Sequence, residues 1–282
     1  MSLLNIFIVL GNLAAILIVA YAKCATRRKQ RDSVKVENGI TKILMISMVI
    51  SDAIFGVTGM PLMVIELYHS GHWTLGPTWC FIKVLAHYLW CPLVMCHVVC
   101  MAVDRFLAVC KPLVYRSLSF KLGYCLVGLC WGLSLLIVLT PMAAYWFNLE
   151  DNARPCSESN SVCDFMRSKA FVMLNYFFIG FSPITAILVL YFFIIREILR
   201  SSKRIANSYQ IGSITRTHCR GLRQMRAVRT IGLIVMFFSI SWIPVFICLP
   251  IFTVTGSHLP SWLILVMIFC NYSNAAVNPV LF

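Results

Sequence analysis

The sequence is poor in charge, because Asp, Glu, Lys and Arg make up only 12% of its 282 residues while 60% are hydrophobic. Soluble domains carry about 25% charged residues, and a soluble fold this apolar would expose large sticky patches. A bilayer-spanning helix needs about 20 apolar residues, so the chain has room for about seven spans and little else. The composition excludes a large catalytic domain, a coiled coil and a disordered regulator. It predicts a polytopic helical membrane protein.

The sequence also lacks the patterns of most catalytic and metal sites. No Cys/His spacing is typical of a zinc site, and no Ser-His-Asp set, phosphate-binding loop or pair of carboxylates is visible. Internal repeats and low-complexity tracts are absent from the sequence as well. We therefore expect no enzymatic activity.

Seven apolar segments are each long enough to cross a hydrocarbon core of about 30 Å. None alternates apolar and polar residues as barrel strands do, so helices are the expected spanning element. We predict an all-α membrane protein, a seven-transmembrane helix bundle that forms a single domain over residues 1–282. The predicted spans cover residues 2–22, 40–68, 80–109, 122–147, 170–195, 229–253 and 260–282.

Positive charge is distributed unevenly between the two sides of the predicted bundle. The formal net charge is +14, and 20 of the 24 Lys and Arg residues fall on one side, mainly after the first span and between the fifth and sixth. By the positive-inside rule that side is cytoplasmic, which predicts an extracellular N-terminus. Such runs contact membrane lipid headgroups, and an acidic cytoplasmic partner is a further interpretation. Nucleic acid is not needed to explain the charge.

A few polar side chains lie inside the apolar spans, where they are costly. Asp52 lies midway along the second span, where a carboxylate costs about 3 kcal/mol on insertion scales. Asn12, Asn274 and Asn278 lie at comparable depths in the first and seventh spans. Two interpretations stay open, because this cluster either binds a cation or joins the helices through hydrogen bonds. A seven-helix ion or proton transporter that uses Asp52 is the alternative from another functional class.

Asp104 and Arg105 close the third predicted span at its cytoplasmic edge. Arg105 is either an interfacial anchor or one half of an ion pair that breaks when the conformation changes. Prolines bend helices by removing backbone hydrogen bonds, and kinks in most spans suggest a cavity and movable segments. The prolines within spans are Pro61, Pro92, Pro141, Pro183, Pro244 and Pro279.

Ten of the thirteen cysteines lie in or near the spans or on the cytoplasmic side, where they are packing residues or free thiols. Only Cys80, Cys156 and Cys163 lie on the oxidising side. This odd number permits one disulfide with one thiol left over.

Nine short motifs follow one another at compatible intervals along nearly the whole chain. They are Gly11-Asn12, Ser51-Asp52, Trp73 with Leu75-Gly76 ahead of Cys80, Asp104-Arg105-Phe106, Lys111 to Arg116, Trp131, Pro183 with Tyr191, Ser241-Trp242-Ile243-Pro244 and Asn278-Pro279 through Phe282. Together they resemble the GN, DRY, CWxP and NPxxY series of the rhodopsin-like class of G-protein-coupled receptors. The resemblance implies an extracellular small-molecule ligand, a heterotrimeric G protein on the cytoplasmic face and a place in the plasma membrane.

The resemblance also implies roles for individual residues. Trp242 would form the pocket floor above the kink at Pro244, and Cys80 would pair with Cys163, with Cys156 as the alternative. Asp52 with Asn274 and Asn278 resembles an inhibitory sodium site, although Val94 and Ala275 stand where hydroxyls are common; no other cofactor is implied. Phe106 and Phe282 replace tyrosines of the family motifs. The residues implied in the activation switch and in G-protein coupling are Asp104, Arg105, Phe106, Leu113, Tyr191, Pro183, Met95, Phe238, Pro244, Asn278, Pro279 and Phe282.

The loop and helix motifs look most like those of muscarinic and histamine receptors, yet the position of the amine-binding Asp is occupied by His87. A neutral imidazole cannot replace a permanent anion opposite an ammonium group. We therefore expect a small neutral or weakly polar ligand, with an atypical aminergic receptor as the alternative and a helix-contact role for His87 still open. The predicted pocket residues are His87, Tyr88, Cys91, Asn175, Tyr176, Trp242, Val245, Phe246, Asn271 and Tyr272.

Overall fold

The structure, a computed structural model, describes residues 5–15, 17, 39–69, 71–147, 163, 173, 176–209, 216–256 and 259–281. Within these ranges the chain is helical apart from short connections, as the composition predicts. The helices are α1 (Asn5–Ala15), α2 (Gly39–Tyr68), α3 (Gly76–Cys110), α4 (Pro112–Ser117), α5 (Lys121–Phe147), α6 (Ser182–Tyr209, continuing a π-helical stretch Tyr176–Phe181), α7 (Arg216–Thr255) and α8 (Ser261–Leu281).

Hydropathy identifies the helices that cross the membrane. Helices α2 and α3 and the segments Lys121–Thr140, Tyr176–Ser201 and Val235–Thr255 are long and apolar enough to do so. The shorter helix α1 and the stretch Trp262–Asn278 of α8 are apolar as well. Over the described residues this gives seven apolar helices, which confirms the predicted all-α membrane bundle.

Helix α3 lies at the centre of the bundle, where it packs against α2, α5, α6 and α7. Within the most apolar 18-residue stretch of each helix, 61% is buried in α2 and 56% in α3, whereas only 17% is buried in α6. The outer helices therefore present apolar side chains such as Leu136 and Phe192 to the lipid. The core lies between α2, α3, α6, α7 and α8, where Met48, Met101 and Phe238 are fully buried.

A buried polar network joins three helices inside this apolar surrounding. His97 of α3 lies with Nε2 2.9 Å from the hydroxyl of Ser47 on α2. Trp131 of α5 donates its indole N–H to the same hydroxyl at 3.1 Å. Because unpaired polar groups are costly away from water, these bonds fix the relative rotation of α2, α3 and α5.

Helices α6 and α7 are longer than the apolar spans from which they were predicted. Helix α6 continues past residue 195 to Tyr209, and α7 begins at Arg216 rather than at 229. Hydropathy marks where the membrane ends, and the basic residues beyond that point are good helix formers. No proline or glycine interrupts residues 196–209. The helices therefore continue beyond the apolar region.

The start of α3 is set by a tight turn. Gly76 has a φ of +77°, which favours glycine, and Pro77 lies in the first turn of the helix. The indole N–H of Trp73 donates to the carbonyl of Gly76 at 2.7 Å and braces this turn. The turn positions Cys80 one helical turn further along α3, where its side chain is fully buried.

Candidate functional site

Cys80 of α3 and Cys163 form a disulfide with a Cα–Cα distance of 5.6 Å. This is the pairing that the resemblance implied, while the alternative partner Cys156 lies outside the described residues. We call the end of the bundle that carries this bond the disulfide end. The opposite end, which carries Asp104 and Arg105, is the Arg105 end.

A buried lysine organises the disulfide end. The Lys83 ammonium group forms an ion pair with Glu66 of α2 at 2.5 Å and donates to the carbonyl of Cys163 at 2.9 Å. It also lies 5.6 Å from the centre of the Trp73 ring. Lys83 thus connects α2, α3 and the segment at Cys163. Sequence reasoning gave Lys83 no role, although a lysine inside an apolar span, three residues after Cys80, was a usable signal.

One side of the predicted pocket forms where α3 meets α8. The Tyr272 hydroxyl and His87 Nδ1 are hydrogen-bonded at 2.8 Å, with the two rings edge to face at 6.1 Å. Tyr88 lies edge to face on His87 with the ring centres 5.3 Å apart. Cys91, one turn further along α3, is half-buried with a free thiol. His87 therefore makes a specific contact with α8 at the position expected to hold an amine-binding carboxylate.

The other side of the predicted pocket is an aromatic row between α6 and α7. Tyr176 donates its hydroxyl to the carbonyl of Phe246 at 2.7 Å. Phe246 stacks on Trp242 with ring centres 5.6 Å apart, and Trp242 in turn lies 5.7 Å from Phe238. A Cβ on Gly180 would approach the Phe246 ring to 2.2 Å, so this arrangement requires glycine at that position.

Two polar atoms among the predicted pocket residues have no hydrogen-bond partner within the described part of the chain. They are the buried Trp242 Nε1, a donor, and the buried Asn271 Oδ1, an acceptor. Leaving such groups unpaired costs about 1–3 kcal/mol each. They are therefore available to pair with a bound molecule or with water. Val245 is half-buried against the core, and Asn175 lies outside the described residues.

Asp52 is fully buried between α3 and α8. Its Oδ1 accepts the indole N–H of Trp90 at 2.9 Å, and its Oδ2 accepts Asn278 Nδ2 at 2.7 Å. The third predicted member of this set, Asn274, contributes a buried Nδ2 without a partner in the described residues. Asp52 and Asn278 thus meet as the motif resemblance implied. Trp90 is a partner that sequence reasoning missed.

These surroundings offer a sodium ion few free oxygen ligands. Hard cations take oxygen ligands, whereas both oxygens of Asp52 already accept N–H groups. Val94 and Ala275, which stand where hydroxyls are common in the family, are fully buried and supply no side-chain oxygen.

At the Arg105 end the guanidinium group is held by its neighbours. Arg105 Nε donates to Asp104 Oδ2 at 3.0 Å, and the guanidinium group also contacts the hydroxyls of Thr41 and Tyr115. Thr41 of α2 donates in turn to the Asp104 carboxylate. Burial, followed by the Asp104 carboxylate, raises the pKa of Tyr115 to about 12, so its hydroxyl stays protonated. The arginine is therefore directed toward α2 and α4.

The remaining predicted switch residues are spread along the bundle. Phe106 lies edge to face against Phe193 at 6.4 Å, and Leu113 is 80% exposed on α4. Tyr191 has a buried hydroxyl without a partner in the described residues, and a Cβ on Gly232 of α7 would lie 3.3 Å from its ring. Met95 and Phe238 share the central core, whereas Pro183 and Pro244 are half-buried in α6 and α7. Pro279 lies in α8, and Phe282 lies outside the described residues.

Comparison with known proteins agrees with this architecture. The model of the family described as 7 transmembrane receptor (rhodopsin family) matches residues 11–282. Mouse trace amine-associated receptor 6 is 26% identical over 254 residues, which cover 86% of this chain and 71% of that receptor. The octopamine receptor beta-2R of Chilo suppressalis is 24% identical over 306 residues, covering 99% of this chain and 74% of the relative. Human adenosine receptor A2a is 28% identical over 193 residues, covering 64% and 46% respectively.

These relatives are receptors rather than enzymes, in keeping with the lack of catalytic motifs in the sequence. The match runs from within α1 to the end of α8 and so reaches all seven apolar helices. The chain belongs to the rhodopsin family of seven-transmembrane receptors.

Proposed function

We propose that this receptor binds a small neutral or weakly polar ligand at the disulfide end and activates a heterotrimeric G protein at the Arg105 end. In this proposal the Arg105 end faces the cytoplasm of a plasma-membrane protein, and the N-terminus is extracellular. The distribution of positive charge supports this orientation, since the basic residues concentrate in the segments next to that end.

The hydrogen bond between His87 and Tyr272 is the observation that carries the ligand proposal. A protonated amine taken out of water needs a counter-charge. Among the described residues Glu66 is the acidic side chain at the disulfide end, and it is already paired with Lys83. The unpartnered donor of Trp242 and acceptor of Asn271 instead match a ligand that carries neutral hydrogen-bonding groups.

An amine receptor is the second candidate, and the names of two relatives favour it. Trace amine-associated receptor 6 and the octopamine receptor beta-2R are named for amines, whereas adenosine receptor A2a is named for a neutral nucleoside. Sequence identity of about one quarter is compatible with either ligand class. The chemistry at His87 supports the neutral ligand, because the residue at this position supplies no permanent negative charge.

A matched pair of substitutions tests the ligand class. Cells that report G-protein nucleotide exchange are screened with neutral compounds and with primary amines, using the wild type, the matched pair His87→Asp and His87→Asn, and His87→Ala. We expect neutral compounds to activate the wild type, and His87→Asp alone to gain an amine response of at least about tenfold in potency, equal to 1.4 kcal/mol. If an amine activates the wild type and His87→Ala leaves its potency unchanged, the amine candidate replaces the neutral one.

Arg105 tests the coupling part of the proposal separately. Arg105→Ala is expected to abolish nucleotide exchange while ligand binding is retained, because the side chain lies at the opposite end from the predicted pocket. Retained exchange in this variant would refute the role of Arg105. Ligand-dependent currents in proteoliposomes that contain no G protein would refute the receptor mechanism itself.

A further inference from the structure

The indole ring of Trp90 lies between the predicted ligand pocket and Asp52. Its side chain is 2% exposed, and it stacks on Phe55 with ring centres 4.6 Å apart and planes 15° apart. Tyr272, which is bonded to His87, lies 5.6 Å from the indole and 5.2 Å from the Phe55 ring, so the three rings form one cluster. Contact with these two rings fixes the direction of the indole N–H, which donates to Asp52 Oδ1.

The groups around the Asp52 carboxylate supply partial positive charge rather than oxygen ligands. Trp90 Nε1–H meets Oδ1 at 2.9 Å and Asn278 Nδ2 meets Oδ2 at 2.7 Å. Each N–H directs the positive end of its dipole at the carboxylate. The two groups therefore supply positive electrostatic potential, as a bound cation would. A cation placed beside the same oxygens would meet those two donor groups. The buried Val94 and Ala275, at family positions where hydroxyls are common, offer no side-chain oxygen to replace them.

We propose that the Trp90 indole takes the place of a cation at Asp52, so that the conformational equilibrium of this receptor is insensitive to sodium. An ion that binds one state stabilises that state by RT ln(1 + c/Kd), where c is the concentration of the ion, so the stabilisation depends on that concentration. A covalently attached indole is present at every salt concentration, so the state it stabilises does not respond to the ion. This inference depends on the geometry around Asp52 and not on which ligand or G protein the receptor uses.

The experiment measures the unfolding temperature of the purified full chain in nanodiscs, without ligand or G protein. Sodium chloride is exchanged for N-methyl-D-glucamine chloride at constant ionic strength, for the wild type, Asp52→Asn and Trp90→Ser. We expect the wild type and Asp52→Asn to unfold at temperatures that do not depend on sodium. Trp90→Ser, which removes the donor and supplies a hydroxyl, is expected to gain a saturable rise of about 2–4 °C at sodium about fivefold above its dissociation constant.

Two further variants give the experiment its controls. Trp131→Ser also removes an indole that donates to a polar side chain, but that side chain is Ser47 rather than Asp52, so no sodium response is expected. Adding Asp52→Asn to Trp90→Ser is expected to remove the gained response.

A sodium-dependent rise in the wild type that Asp52→Asn abolishes would overturn the proposal, and this result can be read even if Trp90→Ser does not fold. A folded Trp90→Ser protein without a sodium response, or an equal response in Trp131→Ser, would overturn it too. None of these outcomes bears on the proposed ligand class, since no ligand is present.

Discussion

The buried Lys83 should stabilise the disulfide end through three simultaneous contacts. Lys83→Met keeps most of the aliphatic stem but removes the ammonium group. The variant loses the ion pair with Glu66, the hydrogen bond to the Cys163 carbonyl and the contact with the face of Trp73. The Lys83 and Glu66 side chains are 9% and 15% exposed, so little solvent screens the pair.

The size of the effect follows from what each substitution leaves behind. Removing one partner of a buried ion pair costs about 3–5 kcal/mol, because the other charge stays buried without a counter-charge. Glu66→Gln should cost less, about 1–2 kcal/mol, since Lys83 keeps the carbonyl of Cys163 and the Trp73 ring. In the double variant no charge is left unpaired, and the coupling between the two sites should be about 2 kcal/mol.

Thermal unfolding of the purified receptor measures this cycle for the wild type, both single variants and the double variant. Lys121→Met serves as the matched control because it removes an exposed lysine at the start of α5. Additive effects of the two single substitutions would refute the ion-pair reasoning. A Lys83→Met protein that unfolds at the same temperature as Lys121→Met would refute the whole account of the disulfide end.

Two further substitutions test the packing around the predicted pocket. Cys163→Ser should lower the free energy of unfolding by about 2–4 kcal/mol, whereas Cys156→Ser should leave the Cys80–Cys163 disulfide intact. The disulfide is detected by the intact mass of the protein after alkylation without reduction, because bonded cysteines are not alkylated. Loss of the disulfide in Cys156→Ser would contradict the assignment. Gly180→Ala should destabilise the receptor by about 1–3 kcal/mol because its Cβ meets the Phe246 ring. Gly132→Ala, with nothing within 4 Å, is the control, and equal unfolding temperatures for the two variants would contradict this reasoning.

The spans could be predicted from the sequence because the bilayer imposes a minimum length of apolar residues on each helix. The meeting of Asp52 with Asn278 was also expected, since motif order gave each residue its helix and its depth. The ends of α6 and α7 could not be predicted in the same way, because a helix does not have to end where its apolar surface ends. Helix α6 ends at Tyr209 and α7 begins at Arg216, and the turns next to these two residues cannot be found by hydropathy.

The partners of charged side chains were harder to predict than their positions. The sequence suggested the Asp104–Arg105 ion pair only because the two residues are adjacent in the chain. In the structure, the Thr41 hydroxyl of α2 also bonds to Asp104 and the Tyr115 hydroxyl of α4 to Arg105. Lys83 finds its carbonyl partner 80 residues away in the chain. Contacts of this kind depend on how helices rotate about their axes, and the nearly uniform apolarity of these spans gives little information about rotation.

Trp90 illustrates why an apolar pattern cannot decide the chemistry of a buried carboxylate. Tryptophan is counted among the hydrophobic residues of the composition, yet its single N–H needs a hydrogen-bond acceptor when the ring is buried. Whether that donor reaches Asp52 depends on the direction of the ring, and stacking on Phe55 and contact with Tyr272 set this direction. Asp52, Asn274 and Asn278 suggested a cation because their residue types can hold one. The geometry favours an indole in that place, because one well-directed N–H supplies positive potential at Oδ1 without an ion.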